Sequence, residues 1–411
     1  MGAGTRVSRK VAVSLVAVVL VAGCTTRSEQ PNSPPGASSE TRPTATAPVA
    51  TVPSAGTPAP VPPPATQASF AAVATFKAGD ASADILAADL NGDGALDLAT
   101  PNYNSNDVAV MLADGGGGYQ APVILTAGRT PNGLAAGDFN SDGHQDLVAA
   151  NLGSDDVSLL LGDGTGKFGA PTAFPAGDGP ARAVARDLNG DGFLDVVTPN
   201  LNGDDVTVLL GDGKGGFAAP GHHPAGDGAL RLSVVDLDGD RKLDLAVSNY
   251  NSGDITVLKG DGGGRFGPPT AYPAGDTSAG AAIADFNDDG FADIVSALYE
   301  VDQIAVLFGD GKGGFGGPVV LGSGEHPSDT GVGDFNGDGF ADIVAPNFDS
   351  DDVSLLHGDG KGGFSAPVSV KVGSGAPAIV VTDFNGDGKA DFATADSLAD
   401  TVSVLLNTTG G

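Results

Sequence analysis

One period governs the sequence. The stretch Asp89-Leu90-Asn91-Gly92-Asp93-Gly94-Ala95-Leu96-Asp97 returns with small changes at Asp138, Asp187, Asp236, Asp285, Asp334 and Asp383, each 49 residues after the last. Seven units of that length make 343 residues, which is also the length of the segment from Ser69 to Gly411. A repeat that tiles its segment with nothing left over fits a closed ring, because an open solenoid needs atypical end repeats to cap it.

Within a unit the pattern reads as four short strands. Leu86 to Leu90 is small and apolar, Leu96 to Thr100 follows the Asp-rich loop, and Val108 to Leu112 alternates apolar residues after a polar turn. The fourth is expected to open on an aromatic after a glycine turn, at Tyr119, Phe168, Phe217, Phe266, Phe315 and Phe364. Composition agrees: 47 Asp stand against only 4 Glu, Gly reaches 65, and the straight-chain helix formers are scarce. The expected fold is all-β, a seven-bladed propeller of four-stranded blades. The last unit stops after its third strand, Thr401 to Leu406, while Phe70 sits 49 residues before Tyr119. Ser69 to Ala78 is therefore expected to supply the missing strand and shut the ring, three strands plus one, with no edge left between first and last blades.

Ahead of the ring, Arg6, Arg9 and Lys10 precede an apolar run from Val11 to Ala22, too short to span a bilayer as a helix. Residues 1–23 read as a signal peptide. The run ends in Val21-Ala22-Gly23-Cys24, which resembles a bacterial lipobox and makes Cys24, the single cysteine, the lipidation candidate. From Thr25 to Ala68, 11 of 44 residues are Pro and 13 are Ser or Thr, too little apolar surface to offset chain entropy. Residues 24–68 read as a lipidated tether and 69–411 as the propeller. Export and anchoring to the bacterial envelope through the lipid alone are expected.

The Asp-rich loops carry the chemistry. Positions 1, 3, 5 and 9 hold Asp89, Asn91, Asp93 and Asp97, then Asp138, Asn140, Asp142 and Asp146, then Asp187, Asn189, Asp191 and Asp195. The fourth loop has Asp236, Asp238, Asp240 and Asp244, and the fifth Asp285, Asn287, Asp289 and Asp293. The last two hold Asp334, Asn336, Asp338 and Asp342, and Asp383, Asn385, Asp387 and Asp391. Alternating oxygen side chains on a tight turn converge, Gly at position 6 permits a left-handed bend, and the set suits Ca²⁺. The other reading is a metal-free Asx-turn. Against it, each carboxylate pair near 4 Å repels by roughly 1 to 4 kcal/mol, a conflict that a divalent cation removes. Up to seven Ca²⁺ are expected. The fourth site is doubtful, because Arg241 replaces the position 6 Gly. Ser141 and Asp288 alter only position 4, which is expected to point outward.

The loops, together with glycine turns such as Gly211 to Phe217, resemble the FG-GAP and VCBS repeat family over all of Ser69 to Gly411. The resemblance implies the propeller of integrin α subunits, with Ca²⁺ in the loop joining the first two strands of a blade and ligands on the opposite face. Similar repeats occur in fungal lectins and in some enzymes, so it fixes fold and metal better than function. Strand alternation puts the turns after the second strands on that opposite face. Asn102, Tyr103, Asn151, Asn200, Asn249, Tyr250, Tyr299, Asn347 and Phe348 are the candidate ligand residues there; an Asn-anchored turn is the alternative reading. A formal net charge of -31 disfavours nucleic acid. A protein or glycan ligand and a monomeric module are expected. No nucleophile with its base and acid is legible, and the five His fall in different columns of the repeat. A carbohydrate lyase or hydrolase and a structural envelope component are the alternative functions.

Overall fold

The structure is a computed structural model that describes residues 67–410. The signal peptide, Cys24 and the tether as far as residue 66 lie outside the described residues. Seven antiparallel four-stranded sheets follow one another, six of them taking their strands in chain order from the ring centre outward. The first blade is β2 (Leu86–Ala88), β3 (Asp97–Asn102), β4 (Asp107–Met111) and β5 (Val123–Thr126). The first strands of neighbouring blades pack against one another and line the central channel.

The last sheet runs β1-β28-β27-β26. Here β1 (Ala74–Lys77) pairs antiparallel with β28 (Thr401–Leu405), in register Ala74 to Val404 and Lys77 to Thr401. The N-terminal strand thus closes the ring as expected. Phe70 extends the closure by a bridge to Asn407, and its ring meets Phe392 edge-on at 5.0 Å.

One expectation shifts. The aromatic after each glycine turn does not open the fourth strand: Phe168 forms an isolated bridge with Gly162, and β9 begins at Thr172. The cause lies in the column Pro122, Pro171, Pro220, Pro269, Pro318 and Pro367, which stands just before the fourth strand and has no N–H for a ladder. The freed aromatic packs between blades instead, as Phe217 does against Phe174 at 5.0 Å and Phe139 at 5.8 Å.

Blades are also latched side to side. In the turn after the second strand of six blades, Asn106, Asp155, Asp204, Asp302, Asp351 and Asp400 share one repeat position, all with φ between 54° and 59°; the fourth blade has Gly253 there. Their Oδ1 atoms accept the backbone N–H of Thr130, Gly179, Gly228, His326, Gly375 and Ala81, each in the following blade. Asx residues tolerate this left-handed geometry better than others. The Asp400 to Ala81 bond, 3.2 Å, joins the last blade to the first.

Candidate functional site

The seven Asp loops lie on one face of the ring, beside the glycine turns between third and fourth strands. Position 1 organises the turn: Asp89 Oδ1 accepts from Gly92 N at 2.7 Å and Asp93 N at 3.1 Å, and Oδ2 from Gly94 N at 2.9 Å. Asn91 Nδ2 donates to Asp93 Oδ2 at 3.0 Å, which holds positions 3 and 5 together. Position 4 is left-handed as well as position 6, so Ser141 (φ 60°) and Asp288 (φ 56°) are strained substitutions and not merely outward-pointing ones. Arg241 adopts φ 68° and donates its N–H to Asp236 Oδ2 at 2.8 Å, taking up the geometry that Gly has elsewhere.

Position 9 is buried in every loop. Asp97 Oδ2 accepts from Leu90 N at 2.9 Å and Oδ1 from Ala113 N at 2.8 Å, clamping the loop to the end of the third strand. The same two bonds recur in the other six blades. Burial pushes the carboxyls of Asp97, Asp146, Asp195, Asp244, Asp293 and Asp391 up. Backbone N–H bonds oppose the shift, and the Asp residues at positions 1 and 5 or, at Asp244, 3 and 5 add to it. Each carboxylate oxygen has a second lone pair, so these backbone bonds leave acceptor capacity for a cation. Hard oxygen donors of this kind fit Ca²⁺.

The fourth loop is built differently. Asp236, Asp238 and Asp244 each bring a carboxylate oxygen within 4.8 Å of the others. Lys259 Nζ lies 2.9 Å from Asp238 Oδ2, and Lys242 Nζ lies 2.9 Å from Asp240 Oδ2. Lys259 stands where the first three blades have Leu112, Leu161 and Leu210. The extra carboxylate therefore arrives with an ammonium of its own.

On the opposite face the candidate ligand residues are mostly inside the protein. Asn102, Asn151, Asn200, Asn249 and Asn347 are fully buried, while Tyr250 (4% exposed), Tyr299 (1%) and Phe348 (1%) are nearly so. Only Tyr103 is half-buried. Asn102 Nδ2 donates to Asp107 Oδ1 at 2.7 Å, and its Oδ1 accepts from the hydroxyls of Ser82 and Thr100. Gly79 explains the burial: a Cβ there would come within 2.0 Å of Asn102 Nδ2, and a glycine stands at the same point in every blade up to Gly373. The burial supports the Asn-anchored turn, and the ligand assignment is withdrawn for every one of these side chains except Tyr103, because solvent does not reach the others.

One column of the repeat forms a charge cluster that no single unit of the sequence announces. Asp84, Gly133, Arg182, Arg231, Gly280, Asp329 and Ala378 occupy equivalent positions at the mouth of the channel opposite the Asp loops. Arg182 Nη1 lies 2.5 Å from Asp84 Oδ1 and 3.9 Å from Asp329 Oδ2. Arg231 Nη1 lies 2.9 Å from the same Asp329 oxygen without the alignment of a hydrogen bond, and its Nη2 donates to Pro377 O at 2.9 Å. Burial raises the Asp329 carboxyl, and the two arginines oppose that shift. Glycine and alanine at the remaining positions leave room for side chains to cross the ring.

His222 is not placed as a catalytic relay. His222 Nδ1 approaches both Asp205 Oδ2 (3.3 Å) and Thr207 Oγ1 (3.2 Å), so acid and hydroxyl compete for one nitrogen. A base that relays a proton uses both ring nitrogens.

Over more than half of its length the chain matches the FG-GAP-like repeat model, at residues 89–149, 138–198, 236–296, 285–345 and 334–394. The protein belongs to the FG-GAP-like repeat family. No curated relative matches it. Among solved structures it is similar to an Agrocybe aegerita lectin that recognises non-reducing terminal N-acetylglucosamine. That match has 20% identity and a TM-score of 0.50, and covers 76% of this chain and 85% of the lectin. It is also similar to BBS1N in complex with ARL6DN, at 10% identity and TM-score 0.59, covering 82% and 96% of the two chains. A third is a catalytically inactive virginiamycin B lyase from Staphylococcus aureus with quinupristin, at 13% identity and TM-score 0.56, covering 82% and 99%. At these identities the likenesses establish the propeller alone.

Proposed function

We propose that the protein is a calcium-binding recognition module, tethered to the cell surface through Cys24, that binds a protein or glycan ligand. The observation that carries the calcium reading is the Asp buried at position 9 in every loop, at the base of a turn whose positions 1, 3 and 5 all offer side-chain oxygens. Asp and Asn at positions 1, 3 and 5, with position 9 behind them, would hold the ion, and its charge would offset the repulsion among the carboxylates. In the fourth loop Lys259 and Lys242 take over part of that work, so six strong sites and one weak site are expected. The ion's role is structural: it fixes the turn beside each blade edge, and recognition falls to side chains that vary between blades.

Elemental analysis of purified protein equilibrated in millimolar calcium tests the metal, and thermal melting before and after chelation tests its role. About six ions per chain and a fall in Tm of more than about 10 °C are expected, as linkage predicts for several tight sites. No stoichiometric metal would refute the calcium reading. Mass spectrometry of the mature N-terminus tests the tether, with a diacylglyceryl group on Cys24 as the expected result.

A further inference from the structure

We propose that the Asp-loop face, and not the opposite one, carries the ligand sites, and that each is a phenylalanine flanked by a lysine and an aspartate that takes one unit of an uncharged oligosaccharide. The inference rests on the recognition reading above and deepens it.

The exposed aromatics of the ring are on the Asp-loop face. Phe193, Phe291 and Phe340 occupy position 7 of the third, fifth and sixth Asp loops and are 38%, 45% and 36% exposed. Each backbone N–H is fixed at 2.9 Å to the position 5 Asp, so the ring rises from a rigid base. Each ring lies over a glycine of the neighbouring turn: a Cβ at Gly213, Gly311 or Gly360 would fall within 2.2 to 2.3 Å of ring carbons. Each ring thus packs against a turn glycine and stays 36 to 45% exposed.

The turn beneath completes the unit. In these three blades it reads Asp-Gly-Lys-Gly-Gly-Phe, with Lys214, Lys312 and Lys361 one residue past the glycine. The remaining blades have Gly116, Thr165, Gly263 or Gly410 in place of the Lys, and Ala95, His144, Lys242 or Lys389 in place of the Phe. Phe and Lys thus occur together three times, and neither occurs without the other at these positions. The lysines are exposed and make no ion pair among the described residues. Asp212, Asp310 and Asp359 use Oδ1 for two turn N–H groups each, and their Oδ2 atoms have no hydrogen bond among the described residues.

An apolar ring, an ammonium donor and a carboxylate acceptor on two adjacent turns of one blade match the three surfaces of a pyranose: its C–H face and hydroxyls of either polarity. The ammonium and carboxylate balance, so the unit attracts no net charge, and a chain of net charge -31 repels an anionic polymer. Three copies on a ring suit a ligand that repeats, which a folded protein surface does not.

The test titrates calcium-equilibrated protein with cellotetraose, mannotetraose and chitotetraose, followed by saturation-transfer NMR and calorimetry, with calcium content measured on the same samples. At least one sugar is expected to bind. The triple variant Phe193→Ala, Phe291→Ala and Phe340→Ala should weaken it at least about tenfold, while Val123→Ala, exposed on outer strand β5, changes nothing. If the triple variant misfolds, Lys214→Ala with Lys312→Ala and Lys361→Ala carries the same prediction from side chains outside the core. Binding of none of the three sugars, or binding unchanged in a folded variant, overturns the proposal. Protein that loads calcium yet ignores sugars refutes this inference alone, whereas protein that loads no calcium refutes the metal reading.

Discussion

Asp396 is the most informative single residue for stability. It stands where five other blades carry the buried Asn102, Asn151, Asn200, Asn249 and Asn347, so the closing blade holds a carboxylate where they hold an amide. The hydroxyls of Thr394 (2.8 Å), Thr401 (3.1 Å) and Ser403 (2.7 Å) donate to it, and no cation does. Burial outweighs those bonds and raises its pKa from 3.8 to about 6. Below the lower value the side chain is neutral folded or unfolded and costs nothing. As pH rises the unfolded chain gives up its proton first, stability falls, and above about pH 6 the full difference is present. Roughly two pKa units at about 1.4 kcal/mol each give about 3 kcal/mol as an upper bound. Asp396→Asn removes the penalty, and its Nδ2 can donate to Ser403 as Asn151 Nδ2 does to Ser158 at 2.9 Å. Urea unfolding of both proteins in millimolar calcium, from about pH 4 to 7.5, should show the variant more stable by about 1 to 3 kcal/mol above pH 6.5 and nearly equal to wild type at pH 4. Taking the difference cancels the titration of the Asp loops. A variant less stable at pH 7, or a gain independent of pH, would refute the argument.

Two further perturbations probe the ring. Arg182→Met leaves Asp84 buried and without its cation, and should cost about 3 to 5 kcal/mol, much of which Asp84→Asn in the same chain should restore; a single variant within about 0.5 kcal/mol of wild type in urea unfolding would show that the charges crossing the channel are not coupled. Asp400→Ala removes the acceptor that latches the last blade to the first and should lower stability by about 1 kcal/mol or more. Asp400→Asn keeps both the acceptor and the tolerance for left-handed φ, and should melt within a degree or two of wild type.

Features that repeat at 49 residues were legible because every copy restates them: the blade count, the loop between first and second strands, and the absent strand at the C-terminal end. The details that escaped depend on distance or on context. Asp84 and Arg182 are 98 residues apart and meet only because the ring brings alternate blades to one channel. The position 4 residue looked free because two loops replace its glycine, yet Ser141 and Asp288 show that those substitutions carry backbone strain. The asparagines looked like a ligand ring because a polar side chain at a turn is usually wet. What hides them is a glycine more than twenty residues upstream, Gly79 for Asn102, whose missing Cβ makes room for the amide.

Agreement and disagreement among the seven copies therefore mean different things at different columns. Where all copies agree, as at the position 9 Asp and the glycine column of Gly79, the residue answers to local geometry that each blade must satisfy by itself. Where they split, the demand comes from the ring or from outside it. The Asp84 column splits into two Asp, two Arg, two Gly and one Ala because side chains crossing a shared channel need partners and vacancies in equal measure. The position 7 column splits as well, but its residues face solvent and no partner across the ring explains Phe193, Phe291 and Phe340. A phenylalanine left in water costs solubility and contributes little packing beyond its glycine. Its pairing with a lysine in the same three blades is what the proposed sugar site accounts for.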